Sequence, residues 1–180
     1  YFQNCVQELK SQYSFSRTRS LEEISIDLTG SEEKIGVHIR RGDYISNARA
    51  VKKLGTQSNE YYFNGIIALR KRFERSKIVV FSDDIIWAKN TLSPLFENIY
   101  FSDLPSSDAN SDLQMLSQCD HFVLSNSTFG WWAAYLSSNY EKIVITPERW
   151  FADGGDDSDI VPLAWVESQK VIHSSTLSSS

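Results

Sequence analysis

At 180 residues, 41% hydrophobic and 23% charged, the chain has the size and composition of one soluble globular domain with a sizeable core. Its net charge of -5 argues against a dedicated nucleic-acid binder, which needs a basic surface to meet phosphate. Cys5 and Cys119 make neither a disulfide framework nor a zinc site and read as free thiols in a reducing compartment, and no run approaches the length of a membrane span.

The chain opens without Met on a helical pattern, about Gln3 to Tyr13, as expected of a fragment, and no secretory signal is recognisable. Apolar strands then alternate with helices. The strand candidates are Ile35 to Arg40, Ile78 to Phe81, Ile99 to Phe101, Phe122 to Leu124 and Ile143 to Ile145. Most are short, β-branched and apolar on both faces, as in a buried parallel sheet. Tyr62, Ile66, Leu69 and Phe73 mark one helical face, and further helices run over Ile85 to Thr91, Ala109 to Ser117 and Phe129 to Ser137. The basic run Arg70-Lys71-Arg72 reads as a solvated helix face. This alternation predicts an α/β fold with a doubly wound, mainly parallel sheet and ligand chemistry at the carboxyl ends of its strands. Residues 1–30 read as a helical lead-in, 31–170 as the α/β domain, and the Ser-rich 171–180 as a disordered tail.

The chemistry-bearing residues fall at predicted strand ends. In the first strand, alternation puts Val37 and Ile39 on one face and His38 and Arg40 on the other, before Arg41-Gly42-Asp43 turns the chain. Paired arginines at that place suit a phosphorylated ligand, or they close the loop as an ion pair with Asp43. The second strand ends in Phe81-Ser82-Asp83-Asp84, where one Asp caps the next helix or binds a ribose, sugar or metal. Glycine-rich phosphate loops are absent, so an anion must be held by side chains and helix N-termini. The stretch Ser125-Asn126-Ser127-Thr128 opens the fourth helix with four small polar residues, ahead of Trp131-Trp132, which should anchor that helix in the core. Asp112 either caps its helix or accepts from a donor edge such as that of guanine. The acidic loop Asp153 to Asp159 lacks the spacing of an EF-hand and reads as solvated.

Taken in order, His38-Ile39-Arg40-Arg41-Gly42-Asp43, Phe81-Ser82-Asp83-Asp84 and Ser125-Asn126-Ser127-Thr128-Phe129-Gly130-Trp131-Trp132-Ala133-Ala134 resemble the motifs of the α-1,2-fucosyltransferases. Ile145-Thr146-Pro147-Glu148-Arg149-Trp150-Phe151, Pro162 and Trp165 continue the pattern. The resemblance implies the Rossmann-like, donor-binding half of a GT-B-like glycosyltransferase. It implies GDP-fucose as donor substrate, no cofactor, no metal, and a galactose-containing glycan as acceptor at its 2-OH. Arg40 would contact the donor diphosphate, with Arg41 assisting or bracing the loop and His38 near the nucleotide. Asp112 would read the guanine, Ser127 and Thr128 would bind phosphate, and Asp83 and Asn126 would complete the donor site. Asp43 is the nearest candidate base, or else a brace for the arginines. Family members are longer, so the acceptor side lies outside this chain, and a GDP-sugar-binding domain without turnover is the alternative. Serine is common in the family where this chain has Gly130. The acidic charge predicts no nucleic-acid partner, and the lack of a membrane or secretion segment predicts no integral membrane segment and a bacterial cytoplasmic enzyme, either free or peripheral at the inner face of the membrane.

Overall fold

The computed structural model describes residues 20–103, 109–166, 8 and 169. The helical opening expected at Gln3 to Tyr13, Cys5 and the tail 171–180 lie outside the described residues, Glu8 and its helical backbone excepted. Five parallel strands form one sheet: β1 (Lys34–Ile39), β2 (Lys77–Ser82), β3 (Ile99–Phe101), β4 (His121–Leu124) and β5 (Val144–Ile145). Between β1 and β2 lie α1 (Gly42–Ser46), α2 (Ala48–Lys53) and α3 (Asn59–Arg72). The later crossovers are α4 (Ile85–Leu92), α5 (Ala109–Ser117) and α6 (Thr128–Leu136). Among the described residues no helix is long and apolar enough to cross a membrane.

The strand order is β3-β2-β1-β4-β5, so the chain builds outward from β1 in one direction and then returns to build in the other. Right-handed crossovers on both sides of that reversal place helices on opposite faces. One face packs Tyr62, Ile66 and Leu69 of α3 and Ala88 and Leu92 of α4 on Ile35, Val37 and Ile39. The other packs Met115 and Leu116 of α5 and Ala133 and Ala134 of α6 on Phe81, Phe122 and Leu124, joined by Leu21 and Leu28 from two short 3-10 turns. The sheet is doubly wound and Rossmann-like, as the alternation predicts.

Two local outcomes differ from expectation. The Gly42-Asp43 turn opens two short helices, with the second capped by Asn47, whose Oδ1 accepts the N–H groups of Arg49 and Ala50. Trp131 and Trp132 are only partly buried, while Gly130, Ala133 and Ala134 carry the buried face of α6. Small residues there let the helix approach the sheet closely; a Cβ on Gly130 would stand 2.9 Å from His38 Nδ1.

Candidate functional site at the carboxyl end of the sheet

In an open α/β sheet the crevice outside the strand ends, where the strand order reverses, is the natural ligand position. Here that point lies between β1 and β4, and both strands deliver polar residues to it. Register explains the grouping. Ile39 pairs with Ser82, so Arg40 and Asp83 leave the sheet side by side. His38 pairs with Leu124, and its carbonyl accepts the Ser125 N–H at 3.0 Å.

Asp83 organises the loop after β1. Its Oδ1 accepts the N–H of Arg41 at 2.8 Å and its Oδ2 the N–H of Gly42 at 3.0 Å. Gly42 is required by this approach, because a Cβ there would lie 2.8 Å from Asp83 Oδ2. The same carboxylate faces Arg40 Nε at 3.3 Å, while Arg40 Nη2 pairs with Asp43 Oδ1 at 2.9 Å. Arg40 is thereby held in place with a side chain 38% exposed and with Nη1 outside both ion pairs. Such a pre-set guanidinium is suited to an anion.

Arg41 is placed differently. Its guanidinium lies 3.9 Å from the Trp87 ring centroid, and its Nε faces Asp84 at 3.4 Å. Asp84 is the cap of α4, accepting the Trp87 N–H at 3.2 Å. Arg41 thus clamps the loop to α4, and of the two arginines Arg40 is the one presented outward.

His38 is 5% exposed and stacked on Phe129 with centroids 5.2 Å apart. Burial, and then the Arg40 charge, pull its pKa down to about 3, so the imidazole is neutral at physiological pH. Ser127 caps α6 by accepting the Phe129 N–H at 3.3 Å, and Thr128 beside it is exposed. The helix start accordingly offers a hydroxyl and unpaired backbone donors to an anion. Asp112 lies inside the first turn of α5, on the face that carries α6, rather than at a cap. Its Oδ1 accepts from Ser102 Oγ at 2.5 Å.

Two residues expected in the donor site also make hydrogen bonds within the protein. Asp83 serves the loop as described. Asn126 is 1% exposed; its Nδ2 donates to Leu54 O at 2.7 Å and Trp150 O at 3.0 Å, and its Oδ1 accepts from Gln57 at 3.2 Å. The Tyr44 hydroxyl donates to the Asn126 carbonyl at 3.1 Å, a tie that sequence reasoning missed because its partners are 82 positions apart. The acidic loop is bonded within itself and to the chain before it, with Asp156 accepting the Ser158 hydroxyl at 2.8 Å and Asp157 the Trp150 N–H at 2.7 Å. Among the described residues no three His, Cys, Asp or Glu are grouped to hold a metal.

The chain is similar to known glycosyltransferases. The chain is 35% identical over 130 residues to the O-antigen biosynthesis glycosyltransferase WbnK of Escherichia coli, covering 72% of this chain and 43% of that protein. It is 34% identical over 148 residues to an Escherichia coli alpha-1,2-colitosyltransferase, covering 80% and 50%. A galactoside 2-alpha-L-fucosyltransferase, Sec1 of Mus musculus, is 34% identical over 116 residues, covering 62% and 31%. The chain therefore spans half or less of the length of these relatives. A crystal structure of POFUT1 in complex with GDP superposes with a TM-score of 0.49 at 14% identity, over 81% of this chain and 47% of that one. The pattern of glycosyl transferase family 11 matches residues 1–167. The chain belongs to that family, the α-1,2-fucosyltransferases whose motifs its sequence carries.

Proposed function

We propose that this chain is the donor-binding part of an inverting glycosyltransferase that moves L-fucose from GDP-β-L-fucose to a glycan hydroxyl, the 2-OH of galactose. The observation that carries the proposal is Arg40, held outward at the topological switch point by Asp43 and Asp83 beside the start of α6. As the glycosidic bond to the diphosphate lengthens, negative charge grows on the leaving oxygens. Arg40 and the Ser127-Thr128 helix start are positioned to stabilise that charge, which is the task a divalent ion performs in other transferases. Asp112 accepts from the guanine edge, and His38 lies along the same face. The ion pair of Asp43 with Arg40 at 2.9 Å favours a brace over a general base, so the base comes from the acceptor side.

Relatives named as fucosyltransferases support the donor, and galactoside transferases among them support the acceptor. A second reading, with colitose as the transferred sugar, is favoured by the colitosyltransferase that aligns over 80% of this chain. A third reading is donor binding without turnover by the part of the fold that this chain shares with its relatives.

A thermal-shift panel of GDP, UDP and ADP in EDTA tests the shared core of these readings. GDP is expected to stabilise the chain selectively; equal shifts from all three nucleotides would defeat every one of them. Turnover of GDP-fucose against GDP-colitose with a galactoside acceptor then separates the sugars and distinguishes enzyme from binder.

A further inference from the structure

Tyr61 and Tyr62 are adjacent on α3 and both reach the carboxyl end of the sheet, but their hydroxyls differ. That of Tyr61 donates to Leu124 O at 2.6 Å. Tyr62 is 0% exposed, and its hydroxyl makes no hydrogen bond of regular geometry to a described residue, although the Ser125 side chain is near enough to act on it. The groups that bear on it are Arg41, Asp83 and Ser125, which lie one or two residues beyond the ends of β1, β2 and β4. The hydroxyl thus lies beneath the switch point rather than deep in the helix–sheet core.

Ser125 is also 0% exposed, and His38 Nδ1, at 3.0 Å, is the hydrogen-bond partner of its Oγ among the described residues. Two arrangements satisfy that one contact, with the proton on either atom. Counting hydrogens separates them. If His38 Nδ1 carried the proton and donated to Ser125, the serine hydrogen could turn only to Tyr62 Oη, and the Tyr62 hydrogen would then have nowhere to go. If Ser125 donates to Nδ1, its oxygen is left to accept the Tyr62 O–H after a small approach, and every buried hydrogen has a destination. In that arrangement the imidazole carries its proton on Nε2, which bonds to no described residue.

We infer that Tyr62 and Ser125 are positioning residues that fix His38 as the neutral tautomer protonated on Nε2, a hydrogen-bond donor for the anionic group of the ligand. Gly130 is part of the device, because a Cβ there would stand 2.9 Å from Nδ1 and push the ring away from Ser125. The ligand half of the inference rests on the diphosphate reading above; the tautomer half does not.

Imidazole 15N NMR on the full chain without ligand tests the tautomer directly. The chain has three histidines, and the His38 signal is assigned by its loss in His38→Gln. The expected result is an Nε2-protonated His38 in the wild type, a mixed tautomer in the isosteric Tyr62→Phe, and loss of the preference in Ser125→Ala. Titration with GDP should show Tyr62→Phe weakened about fivefold with an unchanged melting temperature, the worth of one hydrogen bond. A wild-type His38 protonated on Nδ1 would overturn the inference, and so would a Tyr62→Phe variant that keeps both the tautomer and the affinity. Failure of the wild type to bind GDP removes the ligand reading alone, since the ligand-free spectrum still decides the tautomer.

Discussion

At the amino end of the sheet, Asp120 accepts the N–H of Lys34 at 2.8 Å, and His121 stacks on Phe73 with centroids 3.9 Å apart. At the carboxyl end, Asp83 accepts the N–H of Arg41 at 2.8 Å, and His38 stacks on Phe129. The same strand, β1, therefore receives a carboxylate at each end and has a buried, neutral histidine near each end. What differs is the company. His121 Nδ1 accepts the Ile143 N–H at 3.1 Å, and its Nε2, buried without a hydrogen-bond partner among the described residues, lies 3.4 Å from a Glu33 carboxylate oxygen. The carboxyl end instead suspends Arg40 between two carboxylates with nitrogen to spare. A hollow of about 540 Å³ does lie at the amino end, lined by Glu32, Glu33, Arg72, Phe73 and Arg75. Its Glu32 pairs with Lys77 at 3.4 Å and its Glu33 faces His121, whereas the proposed donor site is at the other end. Position at the reversal of strand order, not concavity, distinguishes the site.

The sharpest break of this comparison is Arg40→Ala. It should weaken GDP binding about 100-fold, the loss of charge-assisted hydrogen bonds worth ~1.5–3 kcal/mol, while leaving the melting temperature nearly unchanged. Calorimetric titration checks both halves, and wild-type affinity in the variant would remove Arg40 from the site. Next comes the pair of matched aspartates. Asp83→Ala and Asp120→Ala each strand backbone donors and should each cost about 2 kcal/mol in denaturant unfolding. Only Asp83→Ala should also weaken GDP, by about tenfold; equal effects of the two variants on GDP would erase the distinction between the ends. The most gradual effect, spread over several pH units, is the pH dependence that both ends share. An unfolded histidine protonates near pH 6.5, whereas burial holds His38 neutral down to about 3 and His121 down to about 4. The unfolded chain therefore binds more protons in that interval, and stability falls as the pH drops below about 6.5. The loss is at most ~1.4 kcal/mol per pH unit for each histidine, and it ends near pH 4 for His121 and near pH 3 for His38. Denaturant unfolding at a series of pH values, repeated on His121→Gln, should show a shallower slope in the variant.

The strands were legible because a doubly covered parallel sheet spells itself in short β-branched runs, and Ile99–Phe101 and Ala109–Ser117 came out with the expected bounds. The short helices at 42–46 and 48–53 were not, since five or six residues are too few to show a helical period. The tryptophans misled for a related reason. Hydrophobic size suggests burial, but the close approach of α6 to β1 needs glycine and alanine inside, and Trp131 flanks it, donating from Nε1 to Ile160 O at 2.8 Å. In the site, Arg40 and Arg41 could be read as a pair, and Asp83 and Asp84 as another. Which Asp meets which Arg could not, because the register of Ile39 with Ser82 is a tertiary fact. Asn126 had the same difficulty, its partners Leu54, Gln57 and Trp150 being remote in sequence.

The loop around Asp83 also sets how a ligand arrives. Two guanidinium groups, Arg40 and Arg41, stand there against three carboxylates, Asp43, Asp83 and Asp84. The side chains of this loop therefore carry no net positive charge toward a distant anion, in a chain whose net charge is already -5. Long-range steering, which speeds association and fades with salt, is absent from such a site. On the proposed donor reading, capture is a short-range exchange in which phosphate oxygens replace Asp43 on Arg40 while Asp83 keeps its bonds to the backbone. The association rate should then be ordinary in size and nearly indifferent to ionic strength, and discrimination among anions should reside in how long each one stays.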